Sequence, residues 1–265
     1  MAEKEKNSSL IGVSANSVLH YAKIYSYPCG VQDIVASTSP DFREKGWEDS
    51  SRRSGGEKVE RKCKDPAAED LQRSMRRARS KLRRLALAND FKWFVTLTLD
   101  PAKVDSFDGA AVVKKLNAWC SNMVQRYGLK YILVPERHKS GRIHFHGFFN
   151  DCMTAVNSGH TDKQGHKIYN LPQWALGFTT AIELYDDYQR AVGYVCKYVG
   201  KQGEKPGGRW YYSGGGLNEP KVTYADILPA ELVESFGDKV WKTYVPGRQI
   251  AVINGVREQV QTEEL

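Results

Sequence analysis

The chain has no run of about 18 consecutive apolar residues, so the sequence predicts no helical membrane span. Its first residues, Met1 to Ser9, are charged and polar with no apolar segment after them, which argues against a secretory leader. The five cysteines (Cys29, Cys63, Cys120, Cys152 and Cys196) contain no Cys-x-x-Cys pair. That excludes a zinc knuckle and a disulfide framework by spacing, and a reducing, cytoplasmic setting is expected. No Gly-x-x-x-x-Gly-Lys-Ser/Thr phosphate loop occurs, so no ATP-driven motor is expected within these residues. No His-Glu-x-x-His occurs either, which leaves a zinc hydrolase as a weak reading.

Positive charge is plentiful. Lys and Arg number 39 against 31 Asp and Glu, a net +8 that favours a polyanionic partner. Much of it sits between Asp65-Pro66 and Asn89, a predicted helix with an Asp cap, Pro at the first helical position, and an apolar stripe of Leu71, Met75, Leu82 and Leu85. Arg76, Arg77, Arg83 and Arg84 crowd the remaining surface with no carboxylate interleaved. Like charges at helical spacing repel, so phosphate contact is favoured over a merely solvated face. Residues 1–64 are expected to be a partly disordered arm, because Ser37 to Lys64 is polar and poor in aliphatics.

The stretch Gly141 to Phe149 organises the rest. It alternates polar and apolar residues as a half-buried strand does, placing His144 and His146 on one face and Ile143 and Phe145 on the other. Lys130 to Val134 precedes it as a strand, and the turn His138-Lys-Ser-Gly141 makes the two a hairpin. That brings Glu136 near the His pair, with Lys139 and Arg142 as cations beside it. Phe91 to Leu99 reads as a further strand, Gly109 to Tyr127 as an amphipathic helix, and Trp174 to Glu183 as a strand region. Asp151 to Tyr169 is a polar excursion holding a small hairpin, with His160 and His166 expected in solvent.

Asp186 to Lys201 is predicted to be a second amphipathic helix packed through Val192, Val195 and Val199. Tyr194 and Tyr198 are one turn apart on it, as are Lys197 and Lys201. A phenol is a weak nucleophile until a cation lowers its pKa or steadies charge on the phosphorus it attacks. From Gly203 to Gly216, Arg209 and Trp210, Tyr211 and Tyr212 suit single-stranded DNA or, equally, a strand closing the core. Pro229 to Lys242 is expected to hold a short helix, and Asn254 to Leu265 to fray.

Taken together, the Phe94-to-Leu99 strand, His144-Phe145-His146, and Tyr194-Val-Cys-Lys-Tyr198-Val-Gly-Lys201 resemble, in order and spacing, the three motifs of the HUH endonucleases. The likeness is nearest to rolling-circle replication initiators of bacterial plasmids and small phages of the filamentous-phage gene II type, and covers residues 90 to about 215. It implies an α+β fold of the ferredoxin or RRM-like kind, with a central antiparallel sheet of about five strands flanked by helices. The nuclease domain would span 90–217, between the basic helix at 65–89 and a C-terminal extension at 218–265. It further implies Mg²⁺ or Mn²⁺ held by His144, His146 and Glu136. Tyr194 and Tyr198 would be the nucleophile pair, and Lys197 and Lys201 would stabilise phosphate or tyrosinate. The implied activity nicks and rejoins single-stranded origin DNA through a 5′-phosphotyrosine, in the cytoplasm of a bacterial host, with host helicase and polymerase as partners. A transposase or relaxase using the same chemistry, and a non-catalytic nucleic-acid-binding module, are the alternatives.

Overall fold

The computed structural model describes residues 19–40, 42–43, 66–184, 188–201, 203–245 and 247–257, and two compact units emerge. In chain order the first elements are β1 (Leu19–His20), β2 (Ala22–Tyr27), β3 (Val31–Ser37), β4 (Phe42–Arg43) and α1 (Pro66–Leu87). There follow β5 (Trp93–Leu99), α2 (Gly109–Tyr127), β6 (Tyr131–Arg137), β7 (Ile143–Phe149), β8 (Val156–Thr161) and β9 (Lys167–Asn170). Then come β10 (Gly177–Glu183), α3 (Tyr188–Tyr198), β11 (Tyr212–Gly214), β12 (Lys221–Ala225), α4 (Pro229–Phe236), β13 (Trp241–Val245) and β14 (Arg248–Arg257). The architecture is α+β, antiparallel sheets flanked by helices, as expected.

One unit is a sheet with the strand order β11-β6-β7-β5-β10-β9-β8. Five strands, from β11 to β10, form its body, and the β8–β9 hairpin extends one edge. β5 shows why a strand forms here. Trp93, Val95, Leu97 and Leu99 are buried on one face, while Phe94, Thr96 and Thr98 between them are half-buried on the other. The first face packs on α2 through Val112, Leu116, Trp119, Cys120 and Met123. Asp108 caps α2 by accepting hydrogen bonds from the amides of Ala110 and Ala111. The second face lies against α3, which in turn packs on α1 through their apolar stripes: Leu82 and Leu85 on α1, and Val192 and Val195 on α3, are buried. At the centre, Gly147 of β7 has no room for a side chain, because a Cβ there would overlap the Ile132 carbonyl of β6.

The other unit joins the two ends of the described chain. Its sheet runs β12-β2-β3-β14-β13, with β1 and β4 as a separate two-stranded ladder. Ala22, Ile34, Ala36, Ala251 and Ile253 make its core with Leu232 of α4. Buried Asp33 accepts a hydrogen bond from the Gly255 amide, where the β3–β14 register shifts between Asn254 and Val256. β2 and β3 thus fall in the stretch assigned to an arm, and they pair with the stretch assigned to a C-terminal extension. Residues 1–18, 41, 44–65 and 258–265, including the Asp65 cap and the end of the acidic tail, lie outside the described residues. The helix from Pro229 stops at Phe236, and Trp241 opens a strand where helix was expected to continue to Lys242. Asn254 to Arg257 belong to β14 and pair with β3.

Candidate active site

The strand register assembles the site. β7 lies between β5 and β6, so Thr98, His144 and Glu136 form one cross-strand row, and Thr96, His146 and Val134 the next. Glu136 is the last but one residue of β6, inside the ladder, which holds it opposite His144. The Thr96 hydroxyl is 3.1 Å from His146 Nδ1 and the Thr98 hydroxyl 3.3 Å from His144 Nδ1. These two threonines orient the rings, and only the alternation of β5 hinted at them; their chemistry gave no separate signal.

Glu136 is the hub. Its Oε2 lies 2.8 Å from His146 Nε2, and its Oε1 accepts a 2.6 Å hydrogen bond from the Lys201 ammonium. Because a carboxylate only accepts, Nε2 of His146 carries the hydrogen, and Nδ1 of the neutral ring accepts from Thr96. Burial alone would raise the Glu136 carboxyl, but the Lys201 hydrogen bond and the neighbouring His146 hold it below its ordinary range. Burial pushes the His146 ring below the usual imidazole value, outweighing Glu136. His144 is likewise lowered, first by burial and then by His138, whose ring lies 5.3 Å from its own. Both imidazoles are therefore neutral and suited to metal binding.

The donors are those of an Mg²⁺, Mn²⁺ or Zn²⁺ site, two imidazoles and one carboxylate on a rigid face. Yet among the described residues no three His, Cys, Asp or Glu side chains form a ready-made cage. The hydrogen bonds say why: both Glu136 oxygens are engaged, one by His146 and one by Lys201. A bound cation competes with those contacts, and the His146 proton must move from Nε2 to Nδ1, with the Thr96 hydroxyl turning to accept it.

The tyrosine helix lies over this cluster. Tyr198 stacks on His146 with ring centroids 4.0 Å apart at 15°, and the Lys201 ammonium sits 5.1 Å above the Tyr198 ring. Tyr194, one turn earlier and exposed, shares a 2.6 Å hydrogen bond with the Tyr198 hydroxyl and packs edge-on to Phe94. Burial and that hydrogen bond raise the Tyr198 phenol well above its ordinary value. The helix does not reach Lys201 as expected. It stops at Tyr198, and Gly200, at φ 71°, turns the chain into the left-handed region that only glycine enters cheaply. Lys201 therefore leaves the helix surface and reaches Glu136, while Lys197 stays exposed on the helix, so the two lysines do not share a face.

α1 has a role the sequence reading missed. Both Nε and an Nη of Arg79 donate to the Val199 carbonyl, at 3.0 and 2.8 Å, closing the end of α3. Tyr188 at the start of α3 donates to the Ala86 carbonyl of α1 at 2.6 Å. Of the arginines proposed for DNA, Arg76 and Arg77 are exposed; Arg83 and Arg84 are half-buried, and Arg84 donates to the Ser80 carbonyl. Lys139 is exposed in the β6–β7 turn, and the Arg142 guanidinium lies 5.7 Å from the Phe107 ring centroid. Arg209 is exposed beside Tyr131 and Tyr212 and is not brought to the cluster. Trp210 is buried, donating to Ser74 Oγ, and Tyr212 is buried on β11. Of the two readings of that stretch, the closing strand describes them.

Residues 92–203 match the family model described as Replication-associated protein ORF2/gene 2 protein. The match spans under half of the chain but contains every residue of the cluster: Thr96, Thr98, Glu136, His144, His146, Tyr194, Tyr198 and Lys201. It supports a replication-associated role and contact with DNA. No curated protein and no solved structure matches the chain. Among the described residues, no helix is long and apolar enough to cross a membrane.

Proposed function

We propose that the chain is a replication initiator that nicks one strand of origin DNA and later reseals it, with a tyrosine as nucleophile and a divalent cation as electrophile. The observation that carries the reading is the stacking of Tyr198 on His146, which puts a phenol against the imidazole pair, Glu136 and Lys201. Mg²⁺ or Mn²⁺, held by His144, His146 and Glu136, would draw charge from the oxygens of the scissile phosphate.

The residues of the chain do the rest. The Tyr198 oxygen attacks phosphorus after its proton leaves to water. The bond from phosphorus to the 3′ oxygen breaks, and that oxygen takes a proton and departs as a free 3′-hydroxyl. The 5′ phosphate stays on the tyrosine with its ester energy conserved, so a 3′-hydroxyl can reverse the reaction and rejoin a strand. Tyr194, hydrogen-bonded to Tyr198, is placed for the second transfer. The free 3′-hydroxyl would prime a host polymerase in rolling-circle replication, with a host helicase opening the duplex. Burial works against forming the Tyr198 phenolate, so activation must come from cations at the phosphate, where Lys201 is the nearest protein charge.

The test is a denaturing gel of the full chain with single-stranded oligonucleotides. A covalent band is expected with Mn²⁺, none with EDTA, none for Tyr198→Phe, and a retained first nick for Tyr194→Phe. A band that survives Tyr198→Phe would overturn the assignment of the first nucleophile. Binding without any band would favour the binding-module reading, for which the closed Glu136–His146–Lys201 cluster is the supporting observation.

A further inference from the structure

Next to the tyrosine pair, the same unit holds an open groove of about 930 Å³ that the chemistry above does not use. It runs from Tyr194 toward the tip of the β8–β9 hairpin, away from the His pair. Its floor is apolar and aromatic, formed by Phe94 and Ile182 with Tyr194 at one end. At the other end stand Gln164 and His166 of the hairpin loop, and Lys197 lines it from the helix. A volume within about 300–1,000 Å³, a mostly apolar lining and a few convergent polar groups are the marks of a small-ligand site.

The polar groups say which part of a ligand goes where. Asp162 is already engaged, accepting from the amides of Gln164 and His166 and from the His166 ring at 2.9 Å, and so serves to shape the loop. Glu183, on the strand side, faces the Lys92 ammonium at 4.0 Å. Gln164 is exposed, and its side-chain amide makes no hydrogen bond among the described residues. The Lys197 ammonium has no partner among the described residues either. One end thus offers a paired donor and acceptor, the middle a surface for a flat ring, and the helix a cation. A nucleotide has those three needs: an edge to be read, a face to be packed and a phosphate to be neutralised.

Resting on the nicking-joining reading, we propose that this groove takes one unstacked base of the single strand whose phosphate lies at the tyrosines. Gln164 reads the base edge and Lys197 holds the neighbouring phosphate. A glutamine amide matches adenine in bidentate fashion, donor to N7 and acceptor to the N6 amino group, so adenine is the base expected there. The groove would then choose the sequence beside the nick, while the cluster performs the chemistry.

The experiment sequences the molecules bound by the full chain from a randomised pool of short single-stranded DNA, comparing wild type with Gln164→Ala and Lys197→Gln. Gln164→Ala is expected to flatten an adenine preference of about tenfold at a single position and leave the others intact. Lys197→Gln is expected to keep the preference and lower the salt slope of binding by about 0.7. The same base profile in wild type and Gln164→Ala would overturn the assignment. Because binding is read without cleavage, the nicking reading is judged separately from a Mn²⁺-dependent covalent band on the same pool. A missing band with a flattened position sinks that reading and keeps the groove as a base site; a band with an unmoved profile does the reverse.

Discussion

Arg79→Ala is the sharpest test of how the nucleophile is held. Arg79 donates two hydrogen bonds to one acceptor, the Val199 carbonyl, immediately after the last helical residue, Tyr198. That carbonyl is among the unsatisfied acceptors at the negative end of the helix, where a guanidinium is favoured twice over, by hydrogen bonding and by charge. A hydrogen bond to a charged partner contributes about 1.5–3 kcal/mol, and because both donors share one oxygen the pair is not counted double. Losing it should cost about 2 kcal/mol of local stability, roughly a thirtyfold rise in the opening equilibrium of this turn.

Amide exchange reads that opening directly. The amides that donate across the turn, Val199 to the Cys196 carbonyl and Lys201 to the Tyr198 carbonyl, should exchange about ten- to thirtyfold faster in Arg79→Ala, with β14 in the other unit unaffected. Arg79→Lys keeps the charge but loses the fork, so it should recover only part of the protection. The rate of covalent adduct formation should fall with it by at least about tenfold, since small misplacements of a reacting group are costly. Unchanged exchange and an unchanged adduct rate in Arg79→Ala would refute the claim that α1 braces the tyrosine helix.

The exposed pair Arg76 and Arg77 should contribute about 0.7 each to the salt slope of single-strand binding, so the double alanine variant should lower the slope by about 1.4. An unmoved slope, measured by titration at several salt concentrations, would return these side chains to a solvated face. Gly147→Ala should leave no soluble folded protein, since its Cβ would overlap the Ile132 carbonyl in the central strand pair; a cooperative thermal transition at the wild-type temperature would contradict the packing described here.

What the sequence disclosed and what it concealed divide by distance along the chain. β5, α2, the β6–β7 hairpin and the small β8–β9 hairpin are legible because each is written in local periodicity and closed by nearby turn chemistry. His144, His146 and Glu136 come together through that same hairpin register, so their convergence was also legible. Arg79 was not, because its acceptor lies 120 residues further on and a charge run carries no mark of which member turns inward. The pairing of β3 with β14 joins residues more than 200 apart, and an edge of modest hydrophobicity at either end of the chain gives no sign of the other. Trp210 illustrates the ambiguity of aromatics: the residue that suits a base in solution is here buried against α1, with its indole satisfied by Ser74.

The two Tyr-x-x-Lys units are identical as motifs, and the fold makes them unequal. Had the helix continued to residue 201, Lys197 and Lys201 would have stood on one face, each beside its own tyrosine. Gly200 ends that symmetry by turning the chain where a side chain would collide with Met75 of α1, so glycine is required there both by conformation and by space. The second lysine then reaches Glu136 and covers Tyr198, while the first remains with Tyr194 at the mouth of the groove. A single turn thus gives one tyrosine to the carboxylate and imidazoles and the other to the path of the DNA. If that division sets the order of strikes, Gly200→Ala should damage the first nick, at Tyr198, more than it weakens DNA binding along the groove. Equal loss of both would mean that the turn matters only for folding.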